Sequence, residues 1–171
     1  MFLVFTLVII GMSLFEFYKM LKDKGFEVAS RIGMGLGLFL PLAIYFQENS
    51  KNIFSYFKFA FFKQINFDMG GFIVFAIMLL ALRQVLKVKI QNAMAEISYT
   101  LFGIIYVSYL FSHILLIKYE FPNGNILVVM TFMLIWACDI SAYLVGMAIG
   151  GKIFKHRLAP KISPKKSIEG A

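Results

Sequence analysis

Residues 135–171 read IWACDISAYLVGMAIGGKIFKHRLAPKISPKKSIEGA. An apolar run carries a single carboxylate, Asp139, then passes through small residues into a basic segment punctuated by proline. A carboxylate at the middle of a bilayer helix costs about 2.5–3.5 kcal/mol on insertion scales, which makes Asp139 a functional candidate. The alternative is a hydrated carboxylate near the interface. Downstream lie Lys152, Lys155, Arg157, Lys161, Lys165 and Lys166, with His156 among them and no acid before Glu169. Such a run attracts anionic head groups and phosphates, although a basic cluster beside a membrane helix also serves as a plain orientation signal. Pro160 and Pro164 fix φ and exclude a continuous helix. The expectation is therefore a shaped loop presenting Ser163, Lys165, Lys166 and Ser167 to a phosphate-rich ligand.

Composition agrees with a membrane setting. Apolar residues make up 60% of the chain and charged residues 15%, and the mean hydropathy is +0.80. These values place the chain among integral membrane proteins, and no nucleic-acid partner is expected. Cys138 has no partner, which excludes an internal disulfide and a multi-cysteine metal site. His113 and His156 lack ligand spacing, and His113, inside an apolar run, is expected to hydrogen-bond between helices.

The predicted architecture is all-α and polytopic, with about five transmembrane helices and a short interfacial helix. The spans are Phe2–Phe17, Val28–Phe46, Met69–Leu86, Ala95–Ile117 and Asn125–Gly151. The first lacks the basic flank and small-residue cleavage site of a signal peptide. In the second, Gly33-x-x-x-Gly37 places two flat spots on one face, suited to close helix contact. Lys51 to Lys63 is intensely aromatic but too short to cross a bilayer, which suits an interfacial helix. Ser98, Tyr99, Ser108 and Ser112 give the fourth span polar groups for a protein-facing side. In the fifth, Asp139, Tyr143, Gly146 and Gly150 share one face, as expected where a helix lines a site.

Charge gives an orientation. With alternating spans, one side receives Lys19, Lys22, Lys24, Arg31, Arg83, Lys87, Lys89 and the six basic residues of the tail. The other receives Lys51, Lys58, Lys63 and Lys118, completing the 17 basic residues. The positive-inside rule then places Met1 outside and residues 152–171 in the cytoplasm as a basic loop.

The segments D-I-S-A-Y-L-V-G and G-G-K-I-F-K-H-R-L-A-P-K-I-S-P-K-K-S-I-E-G, from Asp139 to Gly170, resemble the phosphatidate cytidylyltransferase (CDP-diacylglycerol synthase) family. The family pattern there is an Asp, a small pair and Tyr, a glycine followed by a basic residue, then G-K-H-[KR]-L-[AF]-P-[KR]-[IV]-S-P-[KG]-K-[ST]-x-E-G. Met147 stands where the family usually has a basic residue, and Gly150 to Phe154 is slightly longer or shifted. Leu14 to Gly25 is similar to the family's E-F-Y segment. The family's later signature, P-G-H-G-G-x-x-D-R-x-D, does not occur in this sequence. Residues 1–171 are therefore expected to form a single membrane domain that is part of a larger cytidylyltransferase fold and inactive alone.

The resemblance implies transfer of CMP from CTP to phosphatidate in a bacterial inner or cell membrane, giving CDP-diacylglycerol and pyrophosphate. It implies Mg2+ or another divalent cation. Asp139 becomes the catalytic candidate, while Lys161, Ser163, Lys165, Lys166 and Ser167 become substrate-binding candidates. Asp139 is also a metal-ligand candidate, with the main ligands expected from the missing signature. CTP, phosphatidate and membrane lipid are the expected partners, and a homodimer stays open. Two other classes stay open as well: a CTP-dependent polyprenol or lipid kinase, and a non-catalytic membrane protein whose basic tail binds anionic lipid.

Overall fold

The computed structural model describes residues 1–53, 68–87, 92–152, 157–159 and 163–170, and only the backbone of 48–53, 157, 159 and 164–166. In chain order it contains α1 (Phe2–Asp23), α2 (Ser30–Ile53), α3 (Met69–Val85), α4 (Ala93–Gly103), a π-helical stretch (Ile104–Tyr109), α5 (Leu110–Glu120) and α6 (Gly124–Ile149). A two-stranded antiparallel hairpin, β1 (Arg157–Ala159) with β2 (Ser163–Ser167), follows. The chain forms two compact units, Met1–Pro122 and Asn123–Ala171.

A helix stands at each of the five expected spans. Three are long and apolar enough to cross a membrane: Phe2–Asp23, the continuous Ala93–Glu120, and Gly124–Ile149. At 1.5 Å per residue these measure roughly 33, 42 and 39 Å. Helix α3 has 17 residues, at the lower limit for a span. Helix α2 runs past its expected end at Phe46 to Ile53, and its last turns carry Gln47-Glu48-Asn49-Ser50-Lys51-Asn52. Of the expected interfacial helix, residues 54–63 lie outside the described residues.

The first unit is built around close contact of α1 and α2. Thr6, Ile10, Leu14 and Tyr18 are buried at a four-residue spacing on α1. The two flat spots expected on α2 meet this face. A Cβ on Gly33 would stand 2.6 Å from Tyr18 Cζ, and one on Gly37 would stand 2.5 Å from Leu14 Cδ1. Tyr18 is held from the other side by Gly103, where a Cβ would stand 2.7 Å from its ring. Its hydroxyl donates to Thr100 O at 2.9 Å. The buried tyrosine thereby keeps its polar end satisfied.

The π-helical stretch lies where this helix packs on α2. Ser108 and Ser112 are fully buried, as expected, whereas Ser98 is exposed and Tyr99 half-buried. Ser112 Oγ donates to Ser108 O at 2.6 Å within the helix. The expectation for His113 is corrected: its Nδ1 lies 2.9 Å from the carbonyl of Tyr109, one turn back on its own helix. The carbonyl four residues back thus offers the ring an acceptor within its own helix. Its ring also packs edge-on against Tyr109, with centroids 4.6 Å apart.

Candidate functional site

Helix α6 and the hairpin carry the residues that the sequence singles out. Asn123, at φ 63°, turns the chain into the helix, and Gly151, at φ 75°, turns it out at the other end. Asp139 sits on α6 with its side chain exposed, and it makes no hydrogen bond or ion pair among the described residues. Ser141, beside it, donates to Cys138 O at 2.9 Å.

The described residues of this segment are two paired strands rather than a helix. Arg157 pairs with Ser167 and Ala159 with Ser163, with an irregularity between the pairs. Ser163 opens β2 and Ser167 closes it, both half-buried, and Lys165 and Lys166 lie between them on the same strand. Four of the five substrate-binding candidates thus share one strand. The fifth, Lys161, lies outside the described residues.

The small-residue face of α6 has a use that the sequence did not reveal. Beyond the stripe's first two members, Gly146 and Gly150 form a shelf on which the end of the hairpin rests. Gly170 is buried there: a Cβ on it would stand 2.8 Å from both Ala142 O and Gly146 Cα. A Cβ on Gly150 would stand 2.8 Å from Ser167 Oγ and collide with the Gly146 carbonyl, whereas one on Gly146 would make ordinary contact, 3.7 Å from Gly170 Cα and Ser167 Oγ. Glu169 Oε2 accepts from the Gly151 amide at 3.1 Å. Lys152 Nζ donates to Ala148 O at 2.6 Å, satisfying a carbonyl of the last helical turn. Half of the expected stripe is therefore a docking surface.

The first unit contains a second polar cluster that sequence reasoning missed. Glu96, in the first turn of α4, is only 2% exposed. Arg83 forms an ion pair with its Oε1. Gln84 Nε2 and Lys87 Nζ each donate to its Oε2 at 2.6 Å. Lys87 also reaches Glu27 Oε2 at 3.2 Å, between α1 and α2. The hydrogen bond to Glu96, aided by Glu27, holds the Lys87 ammonium above its ordinary value. The signal was available as Arg83 and Lys87 ending one helix and a lone acid opening the next, but it reads equally well as ordinary charge flanking. Among the described residues no three His, Cys, Asp or Glu side chains come together to hold a metal ion.

The pattern of the cytidylyltransferase family matches residues 1–171, the whole chain. A phosphatidate cytidylyltransferase of Bacillus subtilis is 27% identical over 97% of this chain and 56% of its own length. One from Synechocystis is 26% identical over 95% of this chain and 56% of its own length. One from Pseudomonas aeruginosa is 43% identical over 51 residues, 30% of this chain and 17% of its own length. The chain spans about half the length of the first of these relatives. No solved structure matches it.

Proposed function

The chain belongs to the cytidylyltransferase family, and on that premise we propose that the protein transfers CMP from CTP to phosphatidate in a membrane. One observation carries the reading: a strand bearing Ser163, Lys165, Lys166 and Ser167 is docked at the end of an apolar helix long enough to cross a bilayer. A membrane protein that joins a lipid phosphate to a soluble triphosphate needs cationic and hydroxyl groups at the level where head groups meet water.

In the proposed reaction a phosphate oxygen of phosphatidate attacks the α-phosphorus of CTP in line. A new P–O bond forms, the α–β phosphoanhydride breaks, and pyrophosphate leaves with the bonding electrons. Catalysis of this type rests on positioning and charge neutralisation. Lys161, Lys165 and Lys166 are assigned to the phosphates, with Ser163 and Ser167 as hydroxyl donors. Asp139 is assigned to the polar site as the carboxylate that fixes a cationic partner. The family resemblance calls for a divalent cation. The described residues do not assemble a site for one, so no step is assigned to it.

The five-span arrangement, with Met1 outside and the hairpin cytoplasmic, belongs to the same proposal. The alternation of its first four spans is supported by the first unit, where like-sided ends meet. Lys22 Nζ donates to Ser30 Oγ at 2.6 Å across the α1–α2 turn, and Lys87 and Glu96 bring in the end of α3 and the start of α4. At the opposite end, Lys118 Nζ lies 4.1 Å from the Phe2 ring centroid, and the rings of Tyr45 and Tyr119 are 5.4 Å apart.

The test is pyrophosphate release by the full-length protein reconstituted in vesicles. Release that requires both CTP and phosphatidate is expected. Release of CDP instead would favour the lipid-kinase reading, and no turnover of CTP would favour a lipid-binding role.

A further inference from the structure

We propose that the turn Ile168–Gly170 is a clasp that holds the basic strand β2 in place on α6, so that Gly150, Glu169 and Gly170 are positioning residues. The functional part of this inference rests on the proposed role of β2 in binding the nucleotide phosphates.

The geometry is specific. A two-stranded hairpin is marginal by itself in water, and β1 has three residues and β2 five, with an irregular register between them. Its order must come from elsewhere. Just beyond β2 the chain meets α6 backbone to backbone: Gly170 lies against Ala142 O and Gly146, without room for a methyl group. One residue earlier, the Glu169 carboxylate accepts the Gly151 amide at 3.1 Å. That amide belongs to a residue whose positive φ favours glycine. At the end of β2 itself, Ser167 Oγ occupies the space that a side chain on Gly150 would need. Three contacts at residues 167, 169 and 170 thus tie one end of β2 to the C-terminal end of α6, from Ala142 to Gly151. Lys166 is the residue before the first of them. In this arrangement the position of β2 relative to α6 is set by the absence of methyl groups at Gly150 and Gly170.

Gly170→Ala tests the clasp without altering the helix. The readout is tryptic cleavage after Lys166 in the full-length protein, reconstituted and compared at equal membrane abundance. Cleavage is expected to accelerate at least tenfold in Gly170→Ala and in Gly150→Ala. In Gly146→Ala, whose Cβ would make only ordinary contacts, cleavage is expected to stay within about twofold of wild type. Wild-type cleavage rates in both Gly170→Ala and Gly150→Ala would overturn the clasp. The second readout is the KM for CTP, which should rise at least fivefold in Gly170→Ala with a smaller change in kcat. Accelerated cleavage with an unchanged KM for CTP would leave the clasp standing and overturn the nucleotide role of β2.

Discussion

The hydroxyl of Ser108 donates to the carbonyl of Gly37, the carbonyl that Pro41 leaves without a helical partner. Proline lacks the amide that would bond four residues back, and a buried carbonyl without a donor is costly. Ser108, fully buried in the π-helical stretch, fills that vacancy from the neighbouring helix. Ser108→Ala should therefore lower stability by roughly 1–3 kcal/mol. Because Pro41→Ala restores the intrahelical donor, the penalty of Ser108→Ala should shrink in that background. Thermal unfolding of the four variants in detergent checks this, and simple additivity would contradict it.

Gly33 and Gly35 differ in what surrounds them. A side chain on Gly33 would enter the Tyr18 ring, whereas one on Gly35 would meet nothing within 4 Å. Gly33→Ala should cost about 1–3 kcal/mol through overpacking, while Gly35→Ala should be neutral or slightly stabilising through helix propensity. Melting temperatures in one detergent separate the two, and equal effects would contradict the close α1–α2 contact.

Removing Glu96 takes an acceptor from Arg83, Gln84 and Lys87, whose two cations stay about a third exposed to solvent. Glu96→Ala should destabilise by roughly 1–3 kcal/mol, the loss of charge-assisted hydrogen bonds. The Glu27 contact of Lys87, at an exposed rim, should be worth under about 1 kcal/mol. The folded state raises the pKa of Lys87, so its contribution is complete below the ordinary amine value of 10.5 and fades only as pH rises through the raised value. The melting-temperature difference between wild type and Lys87→Met should therefore stay constant from about pH 7 to 9. A difference that titrates within that window would contradict the assignment.

Asp139 and the strand lysines test the proposed site. Asp139→Asn keeps the shape of the side chain and removes its charge, and should abolish CDP-diacylglycerol formation at matched membrane abundance. Lys165→Ala and Lys166→Ala should each lower kcat/KM for CTP roughly ten- to hundredfold, the loss of one charge-assisted contact. Wild-type turnover in all three would return the basic run to an orientation signal.

Much of this was legible in the sequence, for identifiable reasons. Apolar run length located five helices, and Gly33-x-x-x-Gly37 announced the contact with α1. Two prolines argued against a continuous helix in the basic tail, where the described residues 157–159 and 163–167 are strands. What escaped were relations between distant residues. Nothing near Ser108 in sequence points to the carbonyl freed by Pro41, and a lone Glu96 at a helix start looks like ordinary capping. The Gly146–Gly150 face read as a site lining because small residues serve close backbone contact and ligand access equally well. Only Gly170, packed on that face, distinguishes the two.

The most direct measurement follows the phosphorus atoms of CTP. The full-length protein in phosphatidate-containing vesicles is supplied with CTP labelled at the α-phosphate, and in parallel with CTP labelled at the γ-phosphate. Cytidylyl transfer predicts that the α-label enters the lipid fraction while the γ-label leaves in pyrophosphate. Label in the lipid fraction from the γ-position, with none from the α-position, would contradict it.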